Sequence, residues 1–600
     1  MHVFKVIIIR DVGEFPLLYE KLAEVYQKIE STSGTLDKIA LFSEFLKDAD
    51  ASVIDKIIAL TIGKLHPDWQ GYPEIGIAEK TTIQVVATSA GVPESKVESM
   101  LHETGDIGLA AESLLSGSVQ SSLFAEDPTI TRVYDTLDNI AQTSGAGSNK
   151  EKISQLVGLL SDASPIEAKY LLRTVIGDLR LGLAEMSIID SLSIAFTDDK
   201  SNRDRIESAF NVRSDLACVA KELAEGGLDA IKKIHAMVGI PIRMMAAKKL
   251  TNATDILEKG GKNVLVEYKY DGERVQVHKS GETIKLFSRR QEEISTQYPD
   301  VVKYVLSNIN AETCIIEGEI VAIDPQTGSP KPFQELMKRK RKTEISEMME
   351  EIPIALYFFD ILYLNGKDVM SKSMLERRKL LEEVVNQTDR VNLTKAEETS
   401  NPERLDTIFE VALATGYEGV IAKATHKDSI YQAGSRSWLW IKLKASYKEG
   451  MSDSIDLVIV GALFGRGKRT GLYGAILAAA YDERTDSFPT VCKIGTGFTD
   501  EMLVEFKDKL EEHLISGRDP RVVSDIEADV WFNPVEVIEV LGDEITISPI
   551  HPAGRDRLKE GGLAIRFPRF TGRWREDKDP HQATTVSDLI EMYDLQSKQK

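Results

Sequence analysis

The sequence predicts a multidomain protein of α and α+β class, and three changes of texture along the chain predict it. From about Leu17 to Lys249 apolar residues recur at three- and four-residue spacing, the signature of helices with one buried face. After Pro241 short β-branched and aromatic runs appear between Gly, Asp and Asn. A third, mostly β segment starts near Ser452. At 600 residues the chain is too long for one core.

The helical part is carried by stretches such as LDKIALFSEFLKDA, SVIDKIIALTIGKL and PIEAKYLLRTVIGDLRLGLAEMSIIDSL, with few strand signals among them. The middle part reads as a mixed α/β domain. Its strands are NVLVEYKY, RVQVHKS, TIKLFSR, TCIIEGEIVAI and IALYFFDILYL, and helices such as MLERRKLLEEVV and RLDTIFEVALAT lie between them. In the last part SIDLVIVGALFGRGKRTGLYGAILAAAYD, VCKIGTG and VWFNPVEVIEVLGDEITIS read as a small β-barrel. Cys218, Cys314 and Cys492 are too few and too scattered for a disulfide framework or a four-cysteine zinc site, so a reducing, cytoplasmic setting is expected. The run VFKVIIIR is cut by Lys5 and is too short for a membrane span, and no membrane association is expected.

A net charge of −21 argues against a protein that coats polyanions, because Lys and Arg supply most non-specific affinity for phosphate backbones. Local charge differs. Between Arg555 and Lys578 eight basic residues face four acids, and KRKRK (Lys338 to Lys342) precedes the acidic EISEMMEE. That second run fits a solvated helix face and a phosphate contact equally well.

VEYKYDGERVQVH places Lys269 inside an otherwise apolar strand. Strand alternation puts Leu265, Glu267 and Lys269 on one face, Glu317 and Glu319 of CIIEGEIVA on one face, and Trp440, Lys442 and Lys444 of SWLWIKLKAS on one face. Charges buried by such strands must meet each other, a metal or a charged ligand. A lysine attacks phosphorus only as the neutral amine, so its pKa must fall; Lys442, Lys444 and Arg274 are expected to lower that of Lys269. The carboxylates suit a hard divalent cation, which usually arrives with phosphate. Phosphoryl or nucleotidyl transfer through a lysine follows. Taken singly each element has a plainer reading: Asp-Gly is a common hairpin turn, strand lysines snorkel, and edge lysines deter aggregation.

Their joint occurrence in order resembles the ATP-dependent DNA ligases of the archaeal and eukaryotic replicative type, within the covalent nucleotidyltransferase superfamily. The matching elements are KYDGER, FSRR, EGEIVA, YFFDILYLNG, EGVIAK, WIKLK and RFPRFTGRWREDK, with GDIGLAAES, GDLRLGLAE, GRGKRTGLYG and KIGTGF extending the likeness over nearly the whole chain. The resemblance implies a helical DNA-binding domain over 1–240, an adenylation domain over 241–446 and an OB-fold domain over 447–600. It implies that Lys269 attacks the ATP α-phosphate to form lysyl-AMP, that AMP passes to the 5′-phosphate of a nick, and that the 3′-hydroxyl then seals the strand in replication, repair and recombination. Glu267 would contact adenine and Phe359 would stack on it. Arg274 and Arg289 would hold the ribose and phosphate side, Glu319 and Glu418 the metal (Mg²⁺, or Mn²⁺) and ribose region. Lys442 and Lys444, with Arg436 nearby, would neutralise the α-phosphate, and Arg575 and Lys578 would orient pyrophosphate as the barrel closes.

The family grips the minor groove through its helical domain, and Gly177 and Gly182 around Arg180 fit either that surface or helix capping. QSSLF resembles a shortened sliding-clamp (PCNA) box, with Gln120, Leu123 and Phe124 as contacts; core packing is the competing reading. Met244 stands where family members generally have proline. A monomer acting on nicked duplex DNA is expected. An RNA-capping guanylyltransferase would not need so long a helical domain, and a silent clamp- and DNA-binding scaffold would not keep every ionisable pocket group. ADP or NAD as alternative donors would fit the same adenosine pocket.

Overall fold

A computed structural model describes residues 16–597, except 105, 117–125, 146, 178, 332, 338, 340–344, 445–453, 466–471, 543 and 559–560. The chain forms two compact units. One comprises the described residues up to Leu65, Pro73–Leu181 and Ile194–Phe196; the other comprises His66–Tyr72, Gly182–Ser193 and the described residues from Thr197 onward.

The first unit is helical, as its periodicity predicts, running from the helix Tyr19–Glu30 to the helix Pro165–Val175. The latter starts on a Ser164/Glu167 capping box with proline in its first turn. It ends at Gly177, whose φ of 76° gives the left-handed turn that closes a helix. Arg180, in the same turn, pairs with buried Asp106 at 3.2 Å.

The second unit carries two mixed-domain sheets and a C-terminal β domain. The first sheet runs Ala246–Lys249, Arg436–Lys444, Gly419–Ala424, Val264–Lys269, Ala396–Thr399. The second has six strands and is centred on Glu273–Ser280, Thr313–Ala322 and Ile354–Leu364. Helices Ala253–Gly260 and Pro402–Ala414 cover one face of the first sheet, burying Ile256, Leu405 and Phe409 against Val264, Val266 and Ile441. The other face is left for polar side chains. The β domain wraps an eight-stranded sheet around a core that includes Phe506, Phe532, Phe570 and Val586.

Helices Arg203–Arg213 and Leu216–Ile231 belong to this second unit. Their connection to the first sheet is polar and specific: Arg243 N–H donates to Asn211 O at 2.8 Å, and Ser214 Oγ donates to Pro241 O at 2.6 Å. Of the basic run at 338–342 only Arg339 is described. It is buried against Asp300 at 2.9 Å and Tyr298, neither a solvated face nor an open phosphate contact.

The stiffest polar element is Arg377 in the helix Met374–Val384. Its guanidinium is bidentate to Asp360 at 2.7 and 3.0 Å and donates to the carbonyls of Lys372 and Ser429, and both ionic side chains are fully buried. Removing one partner of such a pair strands the other charge without solvent. Arg377→Ala is therefore expected to lower the stability of the two-sheet domain by about 3–5 kcal/mol, read as a shift of that domain's urea-unfolding transition.

Candidate nucleotidyl-transfer site

Register explains why the charged residues converge. Lys269 and Lys444 are both direct partners of Gly419, so their side chains rise on the same face on either side of a residue that has none. A Cβ on Gly419 would meet the Leu443 carbonyl oxygen at 2.1 Å, so glycine is obligatory at this crossing. The next row of the same face is Glu267, Ile421, Lys442 and Lys249, and the row after it holds Leu265, Lys423 and Trp440. The Asp271-Gly272 turn follows the strand Val264–Lys269. A Cβ on Gly272 would sit 2.9 Å from Glu319 Cγ, so this turn too lets two functional groups approach.

A cavity of about 740 Å³ opens over this face, lined from the sheet by Lys269, Lys442 and Lys444, from the second sheet by Arg274, Glu319 and Phe359, and from the β domain by Arg575 and Lys578. Glu418 precedes Gly419 and forms ion pairs with both Lys269 and Lys444. Burial pushes the Lys269 amine down, but the Glu418 and then the Glu319 carboxylates outweigh it, and the pKa is raised. This corrects the expectation that neighbouring cations depress it. The amine is an ammonium here. Other amines of the cavity are depressed instead, among them Lys442, lowered well below its ordinary value by burial and by Lys444, Lys578 and Arg436. Glu418 is held far down in spite of its burial by Lys269 and Lys444, whereas burial lifts Glu319 to about 7.

One end of the cavity is aromatic. Phe359 lies edge-on to Trp440 at 5.9 Å, and the Arg274 guanidinium lies over both rings at 5.2 and 5.4 Å. Arg274 is fixed from behind by Glu317 at 2.8 Å and the Met245 carbonyl at 2.7 Å. Glu267, almost fully buried, receives Lys423 at 2.9 Å and Arg378 at 3.6 Å, while its Oε1 makes no hydrogen bond. Lys423 also donates to the Phe359 carbonyl at 2.9 Å and lies over the rings of Phe359 and Trp440. A carboxylate oxygen without a hydrogen bond beside a ring-lined slot suits a flat ligand with an N–H edge.

The rim is ionic. Arg289 is lowered to about 10, by burial first and then by Arg274. Arg575 is bidentate to Asp577 at 2.9 and 2.8 Å and reaches Asp456 at 2.7 Å, and Lys578 pairs with Asp456. Burial takes Lys578 down to about 8. Arg436 stands further out, paired with Asp588 of the helix Val586–Ser597 at 2.5 Å, and Lys248 pairs with Glu591 of the same helix at 3.2 Å.

Every site residue predicted in the two-sheet domain and at the C-terminal REDK lines this cavity or the adjoining smaller one. Gln120, Leu123 and Phe124 lie outside the described residues. Sequence reasoning missed Lys423, Arg378 and Asp456. The first was recoverable, since the alternation that sorts WIKLK also puts Lys423 of EGVIAK on the pocket face. Arg378 carried no signal, being one of several charges on an amphipathic helix.

Comparison with known proteins agrees along the chain. Residues 18–193 match the family model described as DNA ligase N terminus, 244–444 that of the ATP dependent DNA ligase domain, and 469–578 that of the ATP dependent DNA ligase C terminal region. DNA ligase 2 of Thermofilum pendens is 48% identical over 98% of either chain. The DNA ligase of Sulfophobococcus zilligii is 47% identical over 96% of this chain and 97% of its own. That of Saccharolobus solfataricus is 45% identical over 97% and 98%. With three successive domain matches and relatives that align almost end to end, this chain belongs to the ATP-dependent DNA ligase family.

Proposed function

We propose that this enzyme seals nicks in duplex DNA with Lys269 as the group that carries the adenylate. The activity is that of an ATP-dependent DNA ligase, serving replication and repair; the residue roles are our reading of the site. The convergence of Lys269, Glu418 and Lys444 beside a ring-lined slot carries it. The Lys269 nitrogen attacks the ATP α-phosphorus, a P–N bond forms, and the bond to pyrophosphate breaks. A 5′-phosphate oxygen of the nick then displaces the amine from the adenylate, and the 3′-hydroxyl attacks the activated 5′-phosphorus with loss of AMP.

Glu267, held by Lys423 and Arg378, accepts from the adenine amino group, and Phe359 stacks on the ring. Arg274 and Arg289 hold the ribose and phosphate side. Lys442 and Lys444 neutralise the α-phosphate with Arg436 at the rim, and Arg575 and Lys578 take the leaving pyrophosphate. Glu319 and Glu418 offer oxygen donors of the kind Mg²⁺ or Mn²⁺ takes alongside phosphate, and a carboxyl lifted to about 7 is one that a cation would restore to its anion. When bound, such a cation supplies charge neutralisation at the α-phosphate. The functional segments proposed are 1–240 for DNA binding, 241–446 for adenylation and 447–600 as the closing OB domain. Sliding-clamp docking through Gln120, Leu123 and Phe124 rests on the QSSLF motif alone. The described residues include no helix long and apolar enough to cross a membrane; cytoplasmic, monomeric action is our expectation.

Incubated with α-labelled ATP and a divalent cation, the wild-type chain should retain label covalently and Lys269→Ala should not. The variant should still seal a nick whose 5′-phosphate already bears AMP, because that substrate bypasses the amine. Label from GTP alone would indicate capping chemistry, and no label from any nucleotide would indicate a scaffold.

The ion pair sets a pH dependence. A raised Lys269 pKa means that the free amine, and with it the single-turnover adenylation rate, increases as pH rises. Glu418→Gln removes the largest raising influence, so the rising limb should move to lower pH even as the maximal rate falls. An unmoved limb in stopped-flow or quench measurements would refute the assignment of Glu418.

A further inference from the structure

The two cations of the β domain are not held by the nucleotide-binding sheet. They are held by a carboxylate of their own domain that projects into the cavity. Asp456 is the second residue of the strand Ile455–Phe464, and its direct partner across the sheet is Glu539 of the strand Val537–Leu541, so both acids rise on the face that lines the nucleotide cavity. Asp456 Oδ1 accepts from Arg575 Nη1 at 2.7 Å, and Oδ2 pairs with Lys578. Glu539 lies 3.9 Å from Arg575 and 3.8 Å from Arg573. The backbone of Asp456 is pinned on both sides: its N–H donates to Thr584 Oγ1 at 3.0 Å and its carbonyl accepts from Thr584 N–H at 2.8 Å. The carboxylate position is therefore set by the fold, and the cations come to it.

Two further features bear on what this carboxylate is for. Burial would lift its pKa, yet Lys578, Arg575 and then Lys442 hold it at about 2, so it is an anion at any working pH. Lys442 belongs to the sheet that carries the lysine pair for the α-phosphate, so Asp456 sits where cations from both walls of the cavity converge. An anion surrounded by those cations occupies the position that a transferred phosphate chain requires. Arg575 meanwhile keeps its Asp577 fork, which fixes the guanidinium without Asp456.

We propose that Asp456 is a resident stand-in for pyrophosphate: it seats Arg575 and Lys578 when no nucleotide is bound, yields them to the β- and γ-phosphates of ATP, and reclaims them after adenylation so that pyrophosphate is expelled. The proposal rests on the reading of Arg575 and Lys578 as pyrophosphate-orienting cations. The exchange is one anion for another. Pyrophosphate carries more charge than the carboxylate it displaces, so the cations remain compensated throughout, while the displaced carboxylate is left beside a like charge and favours the reverse exchange.

The test is inhibition of self-adenylation by inorganic pyrophosphate, measured on the full chain at neutral pH. Asp456→Asn keeps the shape and removes the charge; the inhibition constant for pyrophosphate should fall about tenfold, the size of effect expected when one short-range like charge is removed from an anion site, and the KM for ATP should fall with it. Asp456→Glu, which keeps the charge, should stay near wild type. Asp456→Ser provides the same comparison if the amide disturbs the strand. In a Lys578→Met background the gain from Asp456→Asn should shrink, because one of the contested cations is gone. An inhibition constant that is unchanged or raised in the folded Asn and Ser variants overturns the stand-in role. If Arg575→Ala and Lys578→Met leave both adenylation and pyrophosphate inhibition at wild-type values, the parent reading of those cations fails instead.

Discussion

The active face depends on one carboxylate serving two lysines. Lys269 and Lys444 are brought onto the same side of Gly419 by strand register, and two ammonium groups converging there would repel. Glu418 resolves this by pairing with both. The consequence reaches beyond stability. With Lys269 as the proposed nucleophile, the ion pair keeps its amine protonated and so unreactive until that pair is broken. On the proposed roles, whatever draws the charge of Glu418 away from Lys269 would lower the amine's pKa, and a divalent cation held by Glu418 and Glu319 would supply that charge.

The scaffold around this pair is rigid where the chemistry needs precision. Asp360 follows Phe359 on the strand Ile354–Leu364, and its fully buried pair with Arg377 fixes the backbone from which Phe359 projects. Lys423 binds the Phe359 carbonyl and Glu267 together, tying the aromatic wall to the row below Lys269. Arg274 is set between Glu317, the Met245 carbonyl and the two rings. Phe359, Glu267 and Arg274 are thus each held by contacts from within the protein, the arrangement that keeps a preorganised site from relaxing.

Much of this was legible because strand alternation is a hard geometric rule. It sorted Glu267 with Lys269, Glu317 with Glu319, and Lys442 with Lys444 without reference to the rest of the fold. What alternation cannot supply is the identity of through-space neighbours. Glu418 stands 149 residues from Lys269 in sequence and reaches it only because Gly419–Ala424 pairs with Val264–Lys269. The pKa of Lys269 was therefore expected to fall on account of cations visible nearby, when an acid from the adjoining strand end raises it. The same gap hid Asp456, an ordinary strand residue in sequence whose partners lie over a hundred positions away in the REDK segment. Arg378 failed for a different reason: charges are the default on an exposed helix face, so a single inward-pointing arginine has no signature.

These observations also reconcile an acidic chain with a polyanionic substrate. Within the cavity many cations already have a carboxylate: Lys269 and Lys444 have Glu418, Arg274 has Glu317, Lys423 has Glu267, and Arg575 has Asp577 and Asp456. A site built this way does not present a bare positive hole that any phosphate would fill. On the proposed roles it would bind by exchanging Glu418 and Asp456 for external anions, and the exchange would be favourable only for a ligand that replaces both at once and brings a cation to satisfy the carboxylates it displaces. A triphosphate with its metal meets both conditions. A lone phosphate group meets neither, so on the proposed roles selectivity for the charged donor would arise from the pairing of the site's own residues and would require no excess of positive charge in the chain.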